Sequence, residues 1–404
     1  MIKNIILSII LLPFNLISQY GCVTDEYNKP LYDSNPIRYE QVEKDLQNHL
    51  RISKQKDNNQ IVIPVVFHIV WMDNNHNLPD SVIHQQVEVL NKSFNLKNED
   101  TVILTDTLKN WVDNFNIKFE LAYKDPNGIL TDGITRKKTI NPHFSYYNDP
   151  VKDSHYGTNA WPTDRYLNIW VCNLVDGFHG YSQFPGGPIE TDGVVVDWQT
   201  VGNGYYPWTY PNSENLACGK VLVHEIGHWL NLYHPWGNTT FGCGDDYIPE
   251  TGLQDEPVYH TNDCYDTLFS LCNPSERVFV KHYMDYSGCD CMVTFTKNQV
   301  ARGISSLMTQ RLPMIENYER RPTLNGFEGT LILPTLVKDK LYFTFPHSDG
   351  VITIIIYDLM GREILKTYTS QQFKEISLNT SQGYYIVCVV YNGEVVRKQK
   401  IIVY

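Results

Sequence analysis

Residues 224 to 234 read His-Glu-Ile-Gly-His-Trp-Leu-Asn-Leu-Tyr-His, a set of types and spacings suited to metal-assisted hydrolysis. One helical turn separates His224 from His228, so both imidazoles leave the same face and can share one ion. Glu225 lies about 100° round the helix from His224, where a general base can reach a water beside the metal without binding the metal itself. Six further helical residues would carry His234 about 240° round from His228. The helix must therefore break before it. Glycine usually supplies the positive φ for such a break, three residues ahead of the last histidine. Here that position is Asn231, the next most tolerant residue of the left-handed region, and Pro235 bars further helix. Three neutral imidazoles and a water make a tetrahedral catalytic zinc site with one open position. The alternative, an amphipathic helix whose histidines and glutamate are ordinary core and surface groups, explains neither the third histidine nor the helix stop.

A site of this kind needs elements to hold it. Leu222, Ile226, Trp229 and Leu230 recur as the buried side of a helix expected over residues 216–231. The β-branched, apolar run Ile61–Trp71 reads as a buried strand, with His68 as a core or edge histidine. Ser81 is expected to cap a helix in which Ile83, Val87, Leu90 and Phe94 keep helical spacing and which should pack on a sheet. Further strands are expected at Ile117–Tyr123, Tyr166–Cys172 and Gly193–Trp198. Between the last two, residues 176–187 (DGFHGYSQFPGG) read as a loop forming the edge of a substrate cleft, with His179 at the surface. An extended peptide could add to such an edge as a strand.

Beyond the helix, residues 242–257 concentrate Asp245, Asp246, Glu250, Asp255 and Glu256 in a loop with three glycines and two prolines. Such a cluster suits calcium, and suits equally a solvated acidic loop. Met284 and Tyr286 then precede a last helix expected from Thr296 to about Leu312. A methionine beneath the histidines would give a polarisable floor, and Tyr286 could donate to a developing oxyanion.

The 404 residues suffice for two or three domains. A net charge of −12 argues against nucleic acid or an anionic membrane as the main partner and leaves protein substrates open. Lys3 and the interrupted apolar run from Ile5 to Ile17 are too short for a comfortable membrane span, and read as a signal peptide over residues 1–18. The chain is thus expected to be secreted or attached to the cell surface, with no transmembrane anchor after cleavage. A lipoprotein anchor on Cys22 is the competing reading.

Nine cysteines in an exported chain imply disulfides and at least one free thiol, and five of the nine crowd between residues 243 and 291. Residues 19–56 are polar, without sustained apolar periodicity, and read as a pro-segment. Cys22 within it is the candidate free thiol. A thiolate is a good fourth zinc ligand, so Cys22 could displace the water and keep an enzyme latent. A disulfide partner is the other reading.

From Leu331 onward the pattern changes to short alternating strands, with turns at Asp349-Gly350, Gly361 and Asn392-Gly393. A small antiparallel β-sandwich is expected over residues 326–404, after a domain spanning 57–325.

Taken together, HEIGHWLNLYH, GCGDDY and YMDYSGCDCMVTFTKNQ, in this order, resemble the metzincin zinc peptidases, most closely the pappalysin branch and its bacterial cytophagalysin type. The resemblance spans about residues 57 to 320. It implies an α+β catalytic domain with a mixed twisted sheet, an active-site helix and a Met-turn. It implies that His224, His228 and His234 bind zinc, that Glu225 is general base and acid, that Met284 is the Met-turn methionine and that Tyr286 stabilises the tetrahedral intermediate. It also implies the bridges Cys243–Cys272 and Cys264–Cys291, leaving Cys172, Cys218, Cys289 and Cys388 unassigned. Calcium binding in the family points to Asp246 and Asp255. Asn231 departs from the usual glycine, and His282 from the usual asparagine, which would alter the packing behind the Met-turn or add a titrating group.

Asp290 falls just past the Met-turn, where metzincins build the wall of the pocket for the residue after the cut bond. A carboxylate there would favour arginine or lysine. Arg51 would then make the bond after Leu50 a self-cleavage site. The C-terminal features IYDLMGREI, LNTSQGYYIVCV and KQK resemble the sorting domain of type IX secretion, whose machinery becomes an expected partner; an adhesive or carbohydrate-binding sandwich is the alternative. The reading is a latent secreted zinc endopeptidase. Against it stand a surface adhesin with a structural zinc site, which would have no use for Glu225, and a zinc enzyme acting on non-peptide amides.

Overall fold

The computed structural model describes residues 21–404 apart from 53–59, 130, 176, 205–216, 238–242, 259–263, 266, 319–329, 346–350, 372 and 392–393. The expected signal peptide and the Asn392-Gly393 turn lie outside the described residues. The chain opens with β1 (Gly21–Cys22), α1 (Thr24–Ser34) and α2 (Pro36–Ile52), followed by β2 (Ile61–Trp71), α3 (Asp80–Ser93), α4 (Asp106–Lys109), β3 (Val112–Asp113), β4 (Ile117–Leu121) and β5 (Ile134–Lys138). Then come β6 (Leu167–Cys172), β7 (Phe178–Ser182), β8 (Val194–Asp197) and α5 (Lys220–Trp229), and after a loop-rich stretch β9 (Thr267–Phe269), β10 (Arg277–Phe279), β11 (Phe295–Thr296), α6 (Lys297–Gln310) and α7 (Leu312–Glu316).

The main sheet runs β1-β7-β8-β6-β2-β4, with β5 also paired to β2. Its interior is parallel, while β7 lies antiparallel to β8. Central strands are covered on both faces, which is why β2 and β6 read as continuous apolar runs. One face packs under α3 and α5, with Ile63, Phe67, Ile169, Val196, Leu222, Ile226 and Trp229 in a single cluster. On the other face Val70, Trp170, Cys172, Tyr181 and Val195 form a second cluster. A fully buried apolar side chain contributes about 1.5–3 kcal/mol, so these two clusters hold the sheet.

Three local expectations need correction. Pro79, not Ser81, stands at the N-cap of α3, and Ser81 lies inside its first turn. Residues 178–182, expected in a loop, are strand β7, and His179 is buried in it rather than exposed. The described part of the N-terminal segment, which lacks an apolar period, is the short strand β1 followed by two helices. Their buried residues include Thr24 and Asn28 as well as Val42 and Leu46, because α1 covers the polar edge of a strand rather than an apolar face.

The C-terminal unit holds a three-stranded sheet, β12 (Leu331–Leu333), β14 (Lys340–Thr344) and β17 (Phe373–Ser377). Facing it is a five-stranded sheet of β13 (Leu336–Val337), β15 (Ile352–Asp358), β16 (Glu363–Thr369), β18 (Gly383–Tyr391) and β19 (Glu394–Val403). Among the described residues its core, from Ile332 to Val403, shares no member with the cores of the main sheet.

Candidate metal centre and cleft

Helix α5 is buried along its whole length and begins after Gly219, whose φ of 73° lets the chain turn into it. It ends in a Schellman motif: Asn231 at φ 69° donates to the His228 carbonyl at 2.7 Å, and Leu232 to that of Gly227 at 3.0 Å. Asparagine therefore makes the turn expected of glycine. The buried guanidinium of Arg302 donates to the Asn231 carbonyl at 2.7 Å and fixes it.

That turn brings His234 back to the other two histidines. The three Nε2 atoms stand 3.0 Å (His224 to His228), 3.1 Å (His228 to His234) and 3.2 Å (His224 to His234) apart. His224 Nδ1 donates to the Tyr283 carbonyl at 2.6 Å and His228 Nδ1 to the Leu232 carbonyl at 2.7 Å. Carbonyls only accept, so both rings carry their proton on Nδ1 and turn an Nε2 lone pair inward. Burial and the neighbouring imidazoles hold both rings well below the ordinary histidine range, and hence neutral. Lone pairs facing one another at 3 Å need a cation between them, and imidazole nitrogens at this spacing suit zinc.

Cys22 is the fourth member of this group, with one donor atom from each residue and all of them within 4.8 Å of one another. Among the described residues no other set of histidine, cysteine and carboxylate side chains gathers this way. Burial and the Glu225 carboxylate push the Cys22 thiol well above its usual range, so a thiolate there requires the cation. His234 differs from its partners in taking its Nδ1 contact, 2.9 Å to Asp25, from the N-terminal segment.

Glu225 is buried against β7. A side chain at Gly180 would lie 2.9 Å from its Cγ and Oε1, which explains the glycine in the strand. Desolvation raises the Glu225 carboxyl to about 8, and Thr24 Oγ1 donates to it at 3.0 Å. Met284 is buried beneath α5; a Cβ at Gly227 would sit 2.3 Å from its sulfur. The Tyr286 hydroxyl lies 3.3 Å from His234 Nε2 and donates to the Cys22 carbonyl at 3.1 Å. His282 is buried and pushed down to about 3 by desolvation, accepting from the Met284 amide at 3.2 Å, so it packs the Met-turn and does not titrate near neutrality.

The cleft edge is strand β7, and residues 21–28 fill it. Gly21 donates to the Gly177 carbonyl and Val23 to that of Gly180, with β1 parallel to β7. Further along, Ser182 donates to Thr24 Oγ1 at 2.9 Å, and Asn28 imitates a peptide group, donating to the Ser182 carbonyl and accepting from the Phe184 amide. The side chains of α1 thus continue the ladder that β1 begins.

Bridges Cys243–Cys272 and Cys264–Cys291 are both present. A third, Cys218–Cys289, ties the approach to α5 to the loop after the Met-turn, a pairing not legible in sequence because it spans 71 residues. Cys172 and Cys388 are free and buried. Asp290 is exposed and lines a polar cavity of about 430 Å³ with Cys218, Lys220, Asp100 and Glu99. Asp246 is buried, and burial raises its carboxyl to about 8; Thr251 Oγ1 donates to it at 2.9 Å and the Ile248 amide at 3.0 Å. Thr251, missed in the sequence, also reaches the Ile248 carbonyl. Asp255 is half-buried near this loop, where Gly244 bridges to Gln254.

Residues 150–308 match the family model described as pregnancy-associated plasma protein-A, and residues 332–404 the secretion system C-terminal sorting domain. An extracellular metalloprotease of Colletotrichum graminicola is 25% identical over 257 residues, covering 60% of this chain and 74% of that protein. Among solved structures, Tannerella forsythia promirolysin mutant E225A is 35% identical with a TM-score of 0.62, covering 73% of this chain and 97% of that one. Mature mirolysin from the same organism, in complex with a cleaved peptide, is 39% identical with a TM-score of 0.59, covering 64% of this chain and 96% of its own. With three convergent imidazoles on a mixed sheet and a β-sheet tail, the chain belongs to the pappalysin-type metzincins, as a secreted or surface-attached zinc metalloprotease with a type IX sorting domain.

Proposed function

We propose that the protein is an endopeptidase made as a latent precursor, with residues 19–56 as a removable pro-segment, 57–325 as the catalytic domain and 326–404 as the sorting tail. The observation that carries this reading is the convergence of His224, His228 and His234 with Glu225 beside them and an edge strand alongside. Zinc held by the three imidazoles would supply a Lewis acid for the scissile carbonyl. Strand β7 aligns an extended substrate through backbone hydrogen bonds. Glu225 takes a proton from the attacking water and returns it to the leaving nitrogen, a role favoured by a carboxyl pKa raised towards neutrality. The Tyr286 hydroxyl donates to the oxyanion, and Met284 supports the floor under α5.

In the precursor, Cys22 would supply the fourth ligand to the metal held by the three imidazoles, Thr24 engages Glu225, and residues 21–28 cover the strand a substrate needs. All three contacts support latency. Arg51, exposed in the last turn of α2, remains the proposed self-cleavage point, reached once that turn frays. Asp290 supports a preference for arginine or lysine after the cut bond, since Lys220 in the same cavity is already paired with Asp100 at 2.7 Å. A calcium site around Asp246, with Thr251, the Ile248 carbonyl and Asp255 as further oxygen donors, is supported by a buried carboxylate among oxygens.

The test is hydrolysis by the processed protein, beside Glu225→Gln, of peptides with arginine or alanine after the cut bond, with zinc measured on both. Cleavage by the wild type alone, arginine preferred and a chelator inhibiting, is expected. Zinc in both proteins and cleavage by neither would make the site structural and the protein an adhesin.

A further inference from the structure

Tyr27 enters a polar cage on the face of the sheet opposite α5. Its hydroxyl accepts from Lys152 Nζ at 3.1 Å and stands 2.9 Å from Asp149 Oδ2 and 3.2 Å from Gln183 Oε1. Its ring lies 5.0 Å from that of Tyr181 and 4.6 Å from Lys152 Nζ. Every wall of the cage belongs to the body of the protein. Lys152 is buried, paired with Asp149 at 2.8 Å, bonded to the Thr191 carbonyl at 2.8 Å, and set over Trp170 and Tyr181. Asp149 in turn accepts from the Tyr181 hydroxyl at 2.6 Å, so the cage is organised without Tyr27.

The cage lies beside the edge that a substrate would pair with. Along β7 the side chains alternate between faces: Gly180 abuts Glu225 and α5, whereas Tyr181 belongs to the opposite cluster. A peptide added to this edge alternates in the same way, so its residues directed away from α5 point to the face where the cage opens. If Gly180, which abuts Glu225, marks the level of the scissile bond, Gln183 lies three residues farther along the edge, about 10 Å at roughly 3.3 Å per residue, so a side chain reaching the cage belongs to a substrate residue two or three from that bond.

We infer that, once the pro-segment has left, the cage of Lys152, Asp149, Tyr181, Gln183 and Trp170 binds a tyrosine side chain of the substrate, two or three residues from the bond cut. The aromatic floor accepts the ring. The buried ammonium donates to the phenol oxygen while a carboxylate or amide oxygen takes its proton, so phenylalanine fits the shape and leaves the polar groups unmet. The inference rests on reading residues 19–56 as removable.

The experiment uses the zinc-loaded processed enzyme, its N-terminus sequenced, and peptides with arginine after the cut bond and tyrosine, phenylalanine or alanine two or three residues away on either side. At one position kcat/KM for tyrosine should exceed that for phenylalanine by about five- to tenfold, the worth of one net hydrogen-bonding group. In Lys152→Met the tyrosine-to-phenylalanine ratio at that position should fall towards one; being a ratio, it is unaffected by a loss of folded enzyme. Equal rates at every position, or a preference that survives Lys152→Met, would overturn the inference and leave the endopeptidase reading standing. An active chain that still carries residues 21–52 would overturn it as well, since Tyr27 then keeps the cage. Cleavage of none of the peptides would overturn both readings.

Discussion

Glu225 illustrates how a residue's role depends on what surrounds it. Its carboxyl is raised by burial, yet Thr24 supplies a hydrogen bond that favours the charged form, and that donor belongs to the segment proposed to leave. In the processed enzyme, Glu225→Gln should lower kcat by about 10²–10⁴-fold, while metal analysis finds zinc retained because the three imidazoles are untouched. In the unprocessed chain, Cys22→Ser should raise peptide hydrolysis by freeing the fourth ligand position. Adding Thr24→Val should raise it further by releasing Glu225. An unprocessed Cys22→Ser chain as inactive as the wild type would show that the covered edge strand is by itself sufficient for latency.

At the scale of elements, α5 carries two of the three histidines, and its packing leaves no room for a side chain at Gly227. Gly227→Ala must displace Met284, so it should destabilise the fold by about 1–3 kcal/mol, measured by urea unfolding, and loosen zinc binding through the shifted helix. The central strand β2 carries a pH dependence. Burial lowers His68 from the ordinary 6.5 to about 4, between Thr135 Oγ1 and Asn168 Oδ1. Between these values the unfolded chain binds a proton that the folded chain does not, so stability is present above about pH 6.5 and is lost as the pH falls towards 4. The shift corresponds to at most about 3 kcal/mol. His68→Gln should flatten this part of the stability profile, as read from unfolding midpoints between pH 4 and 7. Much of this layer was legible beforehand: β2, β4, β6 and β8 fall within a residue or two of the apolar runs that announce them, because buried parallel strands are written in β-branched residues. Strand β7 and helix α1 were not. Each exists through the other's edge, and the residues that meet there, Gly180, Ser182, Thr24 and Asn28, carry no apolar period.

For the whole molecule, the separate core of the C-terminal sheets predicts a separable function. A chain ending at residue 325 should keep peptidase kcat/KM within about twofold, as expected when no catalytic group lies beyond the cut, yet fail to reach the medium in a host with the type IX system; export of the shortened chain would refute the sorting role. By itself, the sequence determined the helix with two histidines and the third beyond its stop, the glutamate beside them, the Met-x-Tyr segment and the change to strands near residue 331. These are local patterns, in which spacing along one element sets direction in space. Only the tertiary structure decided that Asn231 makes the required turn with Arg302 holding its carbonyl, that Cys218 pairs with Cys289, and that Cys22, Thr24, Asp25 and Tyr27 each meet a different part of the cleft. Those contacts join residues 71 to more than 200 positions apart, from Cys218–Cys289 to Asp25–His234. No periodicity spans such separations; they follow from where the sheet edge, the active-site helix and the N-terminal segment come to lie together.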